Sequence, residues 1–439
     1  MSVRSSTPKT MSEEARLAKN KQIREAGMAT RARRSTMNCR VRDLKIVTNR
    51  INAQQETALR AVFLESKWVR NAALAAQRFD AVYAKELGGR VPVRLPDGSF
   101  ELRSIDWLGS QMQQSAIRQL SSDIKSLAIS KANGRKVGKL RFAREVSSID
   151  LQQFGVTWNV DWKRSRVKIQ NIPGWLPVRG LSQLRADGLE LANAKLVQRA
   201  DGWHLLATSF SPREEKVKKS GEIGVDFGVS TAFSFSDGSK VSAVVGESER
   251  LRRLQRKLSR QVKGSNGYRR TCERIQLEYL RASNRKDELA NQLVSGLSGY
   301  SVFFQDEMIS SWKRRGGGSH GSRKIQSGIL GRVKSRLRQS GAVMLPRWVA
   351  TTQWCADCGS LTKHGLAERV FLCSNCGFSE DRDTHAAKNM ILLGNRYQFF
   401  TSGTEGSAGG GIVRLKEALY APVEQFSVKP ETVSSLASP

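Results

Sequence analysis

Long apolar runs are missing from this sequence. No stretch of 18 or more apolar residues occurs, so no membrane-spanning helix is expected. The N-terminus is polar and basic and lacks the apolar core of a signal peptide. Acidic residues are scarce beside basic ones: 40 Asp and Glu face 73 Lys and Arg, a formal net charge of +33. Cations in that excess displace counterions from a phosphate backbone, so a nucleic-acid partner is favoured over a merely solvated basic surface or a ribosomal-type protein. Cysteine is too sparse for a disulfide scaffold, with six in 439 residues, and this pattern suits a reducing cytoplasm. No internal repeat is visible, and no tyrosine or serine recombinase constellation stands out.

What is present is enough apolar residue, 39% of the chain, to build two or three domains with real cores. Residues 1–36 read as a flexible basic arm, with a helix from Glu13 to Glu25. Cys39, Val41 and Leu44–Val47 suggest a strand. Leu59, Val62, Phe63 and Trp68 recur at helical spacing over Gln54 to about Arg78. A hairpin or loop follows, then a second helix with Ile117, Leu120, Ile124 and Leu127 on one face. From about 138 to 212 the signal is β, and Ala200-Asp201-Gly202 turns one strand into the next. Beyond a basic linker at Glu214–Lys219 come strands at Ile223–Phe227 and Thr231–Phe235. A helical hairpin spans 248–295, broken at Gly264–Gly267, and a strand follows at Ser301–Glu307. Arg314–Arg323 reads as a mobile loop carrying His320, Ile325–Leu337 as a helix, and Val343–Leu345 and Trp348–Thr351 as short strands. A last helix covers Thr384–Leu393, and the chain after Phe400 reads as loose. Trp158, Trp162 and Trp203 are expected in the core.

Two groups of residues carry chemistry. Cys355-x-x-Cys358 and Cys373-x-x-Cys376, 14 residues apart, form two knuckles able to give Zn²⁺ a closed, structural tetrahedral shell. Gly359 and Gly377 follow the second cysteine of each pair and let the backbone turn around the sulfurs. Cys39 and Cys272 have no partners at ligand spacing and read as ordinary buried or neutral residues. The second group is acidic. Asp226 ends an apolar strand, with Gly228 opening the turn. Glu307 ends a second apolar strand. Asp383 stands just before a helix, where the alternative reading is an N-cap. Three such carboxylates can hold two Mg²⁺ ions, with Mn²⁺ a substitute, for phosphodiester cleavage.

The segment Gly224-Val225-Asp226-Phe227-Gly228, the strand ending in Gln-Asp-Glu, and the pattern Cys-x-x-Cys…Cys-x-x-Cys-Gly…Asp-Arg-Asp-x-x-Ala-Ala-x-Asn together resemble the split RuvC nuclease of TnpB proteins, transposon-encoded relatives of compact type V CRISPR effectors. The resemblance is sharp over about 221–395 and looser over 40–215. It implies an α/β protein: an RNase H-like RuvC domain at 219–400 with an inserted zinc ribbon at about 350–380. Ahead of it would lie a β-barrel wedge domain at 37–53 and 138–218, with a helical recognition insertion at 54–137. Residues 1–36 form the arm and 401–439 a flexible tail. It also implies a guide RNA and target double-stranded DNA as partners, base pairing for specificity and protein contacts to backbones, in a prokaryotic cytoplasm.

In most of that family the second acid begins a Glu-Asp-Leu-Asn type sequence, and the aligned position here is Gln305. Strand alternation would put Gln305 and Glu307 on one face and Asp306 on the other, so Glu307 can offer the carboxylate one pleat further on. The resulting expectation is an RNA-guided, Mg²⁺-dependent endodeoxyribonuclease using Asp226, Glu307 and Asp383; the alternative is a cleavage-deficient RNA-guided DNA-binding repressor. Lys313, Arg314, Arg315 and Arg382 are candidate nucleic-acid contacts. His385 either orients Asp383 or packs locally, and Lys19, Lys21, Arg31, Arg33 and Arg34 either clamp RNA or float.

Overall fold

The structure, a computed structural model, describes residues 12–80, 82–95, 97–184, 188–212, 220–315, 325–365, 368–402 and 419–420. The chain forms two compact units, Met1–Glu215 and Lys216–Pro439. No helix among the described residues is long and apolar enough to cross a membrane.

The first unit opens with helix α1, Glu13–Ser35, started by the Ser12 hydroxyl, with two acids in its first turn and Arg33 and Arg34 in its last. These charges oppose the helix dipole, and the helix runs ten residues past the expected Glu25. The end of the arm is not floating. Arg33 and Arg34 both pair with the Glu190 carboxylate at 2.7 Å, and the Arg34 guanidinium lies 4.8 Å above the Phe210 ring. Lys19, Lys21 and Arg31 remain exposed.

Nine strands and three helices follow. They are β1 (Asn38–Ile46), α2 (Ala53–Ala75), α3 (Tyr83–Glu86), β2 (Arg90–Arg94), β3 (Phe100–Ser104), α4 (Ser110–Ala132), β4 (Ser148–Leu151), β5 (Trp158–Asp161), β6 (Arg166–Ile169), β7 (Leu176–Arg179), β8 (Glu190–Arg199) and β9 (Gly202–Ser211). A capping box between Asn52 and Gln55 starts α2. Seven strands make one antiparallel sheet in the order β4-β8-β9-β1-β7-β6-β5.

Its two edge strands are consecutive in the chain, and the link between them nearly closes the sheet. The Phe154 amide donates to the Ala192 carbonyl at 2.9 Å, and the Gly155 amide to the Trp158 carbonyl at 2.8 Å. Closure of this kind hides edges that would otherwise pair with other chains. Trp158, Trp203, Leu44 and Leu205 share one core with Leu59 and Val62 of α2 and Ile117 and Leu120 of α4. Trp162 packs at its rim. Cys39 is exposed on β1, not buried.

The second unit contains β10 (Gly221–Phe227), β11 (Phe233–Phe235), β12 (Lys240–Val241), α5 (Glu249–Ser259), α6 (Asn266–Gly296), β13 (Tyr300–Gln305), α7 (Ile309–Arg315), α8 (Leu330–Gln339), β14 (Val343–Leu345), β15 (Val370–Leu372), β16 (Ser379–Asp381) and α9 (Arg382–Ser402). Five strands form a sheet in the order β12-β11-β10-β13-β14. The first three are antiparallel, and β10, β13 and β14 are parallel. Parallel strands are covered on both faces, which is why Val302-Phe303-Phe304 is continuously apolar. Val225, Val302 and Phe304 pack with Ala290 of α6 and with Val333 and Leu337 of α8. Phe303 and Leu345 pack on the other face with Trp354 and with Met390 and Leu393 of α9.

Several sequence expectations are corrected here. Strand β13 stops at Gln305, before Glu307. Residues Trp348–Thr351 form turns and bends instead of a strand, with the Val349 carbonyl, like that of Arg347 before it, drawn to the Gln305 side chain. The expected helix at Ile325–Leu337 is interrupted at Gly328 and resumes as α8. Arg314 and Arg315 close α7 instead of opening a loop, while His320 and the rest of that segment lie outside the described residues. Leu419 and Tyr420, expected in a loose tail, are packed: Leu419 is fully buried in the Trp354 cluster.

Gly224 sets how closely α9 approaches the sheet. A Cβ at this position would lie 1.8 Å from the Ala387 carbonyl oxygen, and a helix carbonyl cannot give way as a flexible side chain could. Gly224→Ala should therefore destabilise the protein by about 1–3 kcal/mol or more. A urea-denaturation midpoint equal to wild type would contradict this packing.

Candidate active site

The Gly224–Ala387 approach places two acids by periodicity alone. Asp226 is two residues beyond Gly224, so it leaves β10 on the same face. Asp383 is four residues before Ala387, so it stands on the same side of α9 one turn earlier. Ala386 and Ala387 are fully buried against the strand. The N-cap alternative for Asp383 is corrected: Asp381 takes that role, its carboxylate accepting from the Thr384 amide and hydroxyl at 3.0 Å each. Asp383 is left in the first helical turn, half-buried, with Arg382 3.7 Å from its carboxylate.

The third acid arrives differently from the alternation argument. The β10–β13 register pairs Val225 with Phe304, so Gln305 stands next to Asp226. Its side chain is engaged elsewhere, donating to the carbonyls of Pro346, Arg347 and Val349 and accepting from the Thr351 hydroxyl. The strand has ended by Glu307, whose amide folds back to the Gln305 carbonyl at 2.8 Å. A tight turn, not a second pleat, carries Glu307. Its charge nonetheless reaches the site.

Asp226 keeps part of its side chain open to solvent but is closely surrounded by protein. Burial pushes its carboxyl up to about 8, and the Asp383 and Glu307 charges push the same way. The Asp383 and Glu307 charges acting on Asp226 make an arrangement that a divalent cation would relieve.

The four cysteines form the second candidate metal centre. Their sulfurs all lie within 4.8 Å of one another, with Cys355 to Cys376 at 3.7 Å and Cys358 to Cys373 at 3.5 Å. A tetrahedral zinc shell requires sulfur separations of about 3.8 Å, so this set fits that ion. Gly359 and Gly377 adopt φ of +73° and +76°, and their amides return to the Cys355 and Cys373 carbonyls. Burial pushes the Cys355 thiol up to about 12, so a bound cation is what would hold it as thiolate at neutral pH.

Side chains not anticipated from the sequence fasten this ribbon. His385 does not orient Asp383: it stacks on Phe371 with centroids 3.9 Å apart, and its Nε2 lies 2.9 Å from the Trp354 carbonyl. Asn389 donates to the Thr351 and Trp354 carbonyls. The Trp354 indole donates to the Tyr420 carbonyl, and Arg396 stacks over Trp354 while donating to the Leu419 carbonyl. Only Asp381 had a readable signal, standing three residues before Thr384 as an N-cap does.

Arg382 is half-buried and donates to the Gly365 carbonyl at 3.1 Å. Lys313, Arg314 and Arg315 lie on α7, and the described side chains do not include theirs.

Asp226 also ties stability to pH. Its native value near 8 exceeds the ordinary 3.8, so its full contribution is present below pH 3.8 and is lost as pH rises through 8. In metal-free protein at pH 8.5, Asp226→Asn should raise Tm by at least about 2–4 °C, a gain that shrinks toward pH 5. A Tm equal to or below wild type at both pH values would refute the repulsion.

Known proteins bear on this arrangement. Two family profiles match: one described as "Cas12f1-like, TNB domain" over residues 332–390, and one described as "Probable transposase" (OrfB_IS605) over residues 205–302. "Putative RNA-guided DNA endonuclease InsQ" of Escherichia coli (strain K12) is 23% identical over 380 residues, which is 79% of this chain and 90% of that protein. A "Putative RNA-guided DNA endonuclease" of Streptomyces pristinaespiralis is 26% identical over 184 residues, 39% of this chain and 45% of that one. Among solved structures, a chain of the Cas12f1-sgRNA-target DNA complex aligns over 77% of this chain and 81% of its own, at 13% identity and a TM-score of 0.39. The profile matches enclose Asp226 at one end and the cysteine knuckles with Asp383 at the other, and with these relatives they support a protein similar to the TnpB family.

Proposed function

We propose that this protein is an RNA-guided, Mg²⁺-dependent endonuclease that hydrolyses double-stranded DNA at a single site formed by Asp226, Glu307 and Asp383. The observation that supports this reading most is that the Asp383 and Glu307 charges both act on Asp226, adding to the burial that pushes its carboxyl up to about 8. The strand order β12-β11-β10-β13-β14, with one acid near the end of β10, one on the turn after the adjacent parallel strand β13 and one at a helix start, supports an RNase H-like, RuvC-type domain. The relative InsQ, named for RNA-guided DNA cleavage, aligns along most of both chains. The net charge of +33 suits a chain that holds RNA and DNA together.

Divalent cations bound between these carboxylates would supply Lewis acidity that activates a water and stabilises the leaving oxygen. The protein's own part is presentation. Asp226, the last residue but one of β10, lies on the same face as Gly224, toward α9. Gly228 folds the following turn against Thr231, where a Cβ would meet the Thr231 carbonyl at 2.4 Å. Asp383 is held by the helix that Asp381 caps. The cysteine ribbon would bind Zn²⁺ structurally, since four thiolates leave no open position. The near-barrel of β1 and β4–β9 would serve as the wedge domain and the α2–α4 segment as the recognition insertion, reading a short motif beside the target. Guide pairing would supply sequence specificity.

The repressor alternative drew its support from Gln305. With Gln305 committed to the 346–351 turns and the Glu307 charge acting on Asp226, the nuclease reading is favoured over it. Protein purified with its co-purifying RNA should cut a matched duplex in Mg²⁺. Asp226→Ala should keep target binding and lose cleavage by roughly 100-fold or more. Matched-target cleavage at the wild-type rate by Asp226→Ala would refute the site, and binding with no wild-type cleavage would favour the repressor.

A further inference from the structure

Glu307 has no strand to stand on, yet the backbone and side chains beside it are tied down at several points. The Asp306 amide donates to the Leu345 carbonyl at 2.9 Å. The Asp306 carbonyl accepts from Arg347 Nε and Nη2 at 3.3 Å each. Gln305 anchors the strand end to the 346–351 turns. The remaining two groups share one donor: Lys334 Nζ reaches Asp306 Oδ1 at 2.5 Å and the Glu307 carbonyl at 2.7 Å. Lys334 projects from α8, whose neighbouring Val333 and Leu337 are fully buried under the sheet. The ammonium is therefore carried on a fixed scaffold.

We infer that Lys334 is a positioning residue for the acidic site: by holding the Asp306 side chain and the Glu307 carbonyl together, it fixes the turn that aims the Glu307 carboxylate at Asp226. This rests on the nuclease reading above. Two physical consequences support it. Lys334 neutralises Asp306 and leaves the Glu307 charge uncompensated by any ion pair among the described residues, so that charge stays available to the site. Without Lys334, Asp306 would be a free carboxylate one residue early, able to compete for the same cation with the turn in the wrong register. The Gln-Asp-Glu sequence then has a division of labour: Gln305 anchors, Asp306 is clamped, Glu307 is presented.

The test uses full-length protein with its RNA and a matched target, measuring single-turnover cleavage, Mg²⁺ half-activation, target affinity and Tm. Lys334→Met keeps the aliphatic stem and removes the donors. It should slow cleavage by about 10- to 100-fold, as expected for a misplaced group near the reacting centre, and raise the Mg²⁺ needed for half-activation, with target affinity unchanged. Lys334→Arg should recover most of the rate, because a guanidinium can donate to the same two acceptors. Asp306→Asn should shift rate and Mg²⁺ demand in the same direction, and joining it to Lys334→Met should add little, since both remove one interaction. Should Lys334→Met fail to fold, Asp306→Asn carries the test alone. Wild-type rate and Mg²⁺ half-activation in Lys334→Met, or in Asp306→Asn where that stands alone, would overturn the inference. So would equal slowing in Lys334→Met and Lys334→Arg that tracks a lower Tm. Full cleavage by Glu307→Gln would instead overturn the three-carboxylate site of the proposed function, and this inference with it.

Discussion

Where any other residue carries a β-carbon, Gly224 carries a hydrogen, and α9 rests on β10 through that gap with the Ala387 carbonyl against the strand. The rest of the second unit follows from this approach. Two residues along the strand stands Asp226 and one helical turn back stands Asp383, so packing that is entirely uncharged brings two negative groups to the same place. Their repulsion, joined by Glu307, is held by the buried cores on both sides of the sheet. Such an arrangement costs stability and is retained where function needs it.

The cysteine ribbon is attached to the same helix. His385 and Asn389 reach from α9 to the Trp354 and Thr351 carbonyls, and His385 stacks on Phe371 between the two cysteine pairs. From the opposite side Gln305 holds the turns that lead into the ribbon. Leu419 and Tyr420 close over Trp354. A four-thiolate cation would thus stiffen the segment that carries Asp383, linking two sites with different chemistry through one run of side chains.

The parts legible in the sequence were those governed by local chemistry. The cysteine knuckles with their glycines, the hairpin at Ala200–Gly202 and the break at Gly264–Gly267 each depend on a few neighbouring residues. Asp226 and Asp383 could be chosen because glycine and alanine around them announced close packing. Glu307 was chosen for the wrong reason. Alternation assumes that the strand continues, whereas hydrogen bonds from residues some 30 to 40 positions away end it at Gln305. The extent of α1 was missed for a similar reason, since Glu190, far along the chain, anchors its last turn. Nor does spacing show that Leu419 and Tyr420 would pack on Trp354. Contacts across long sequence separations leave no periodic trace.

In the proposed nuclease Asp226, Glu307 and Asp383 act as one cation site although the second sits on a turn. The most direct test is Mn²⁺ binding measured by calorimetry on zinc-loaded protein, comparing wild type with Asp226→Asn, Glu307→Gln and Asp383→Asn. The account requires each single substitution to weaken the same binding event, Glu307→Gln included. Wild-type Mn²⁺ affinity and stoichiometry in Glu307→Gln would contradict it.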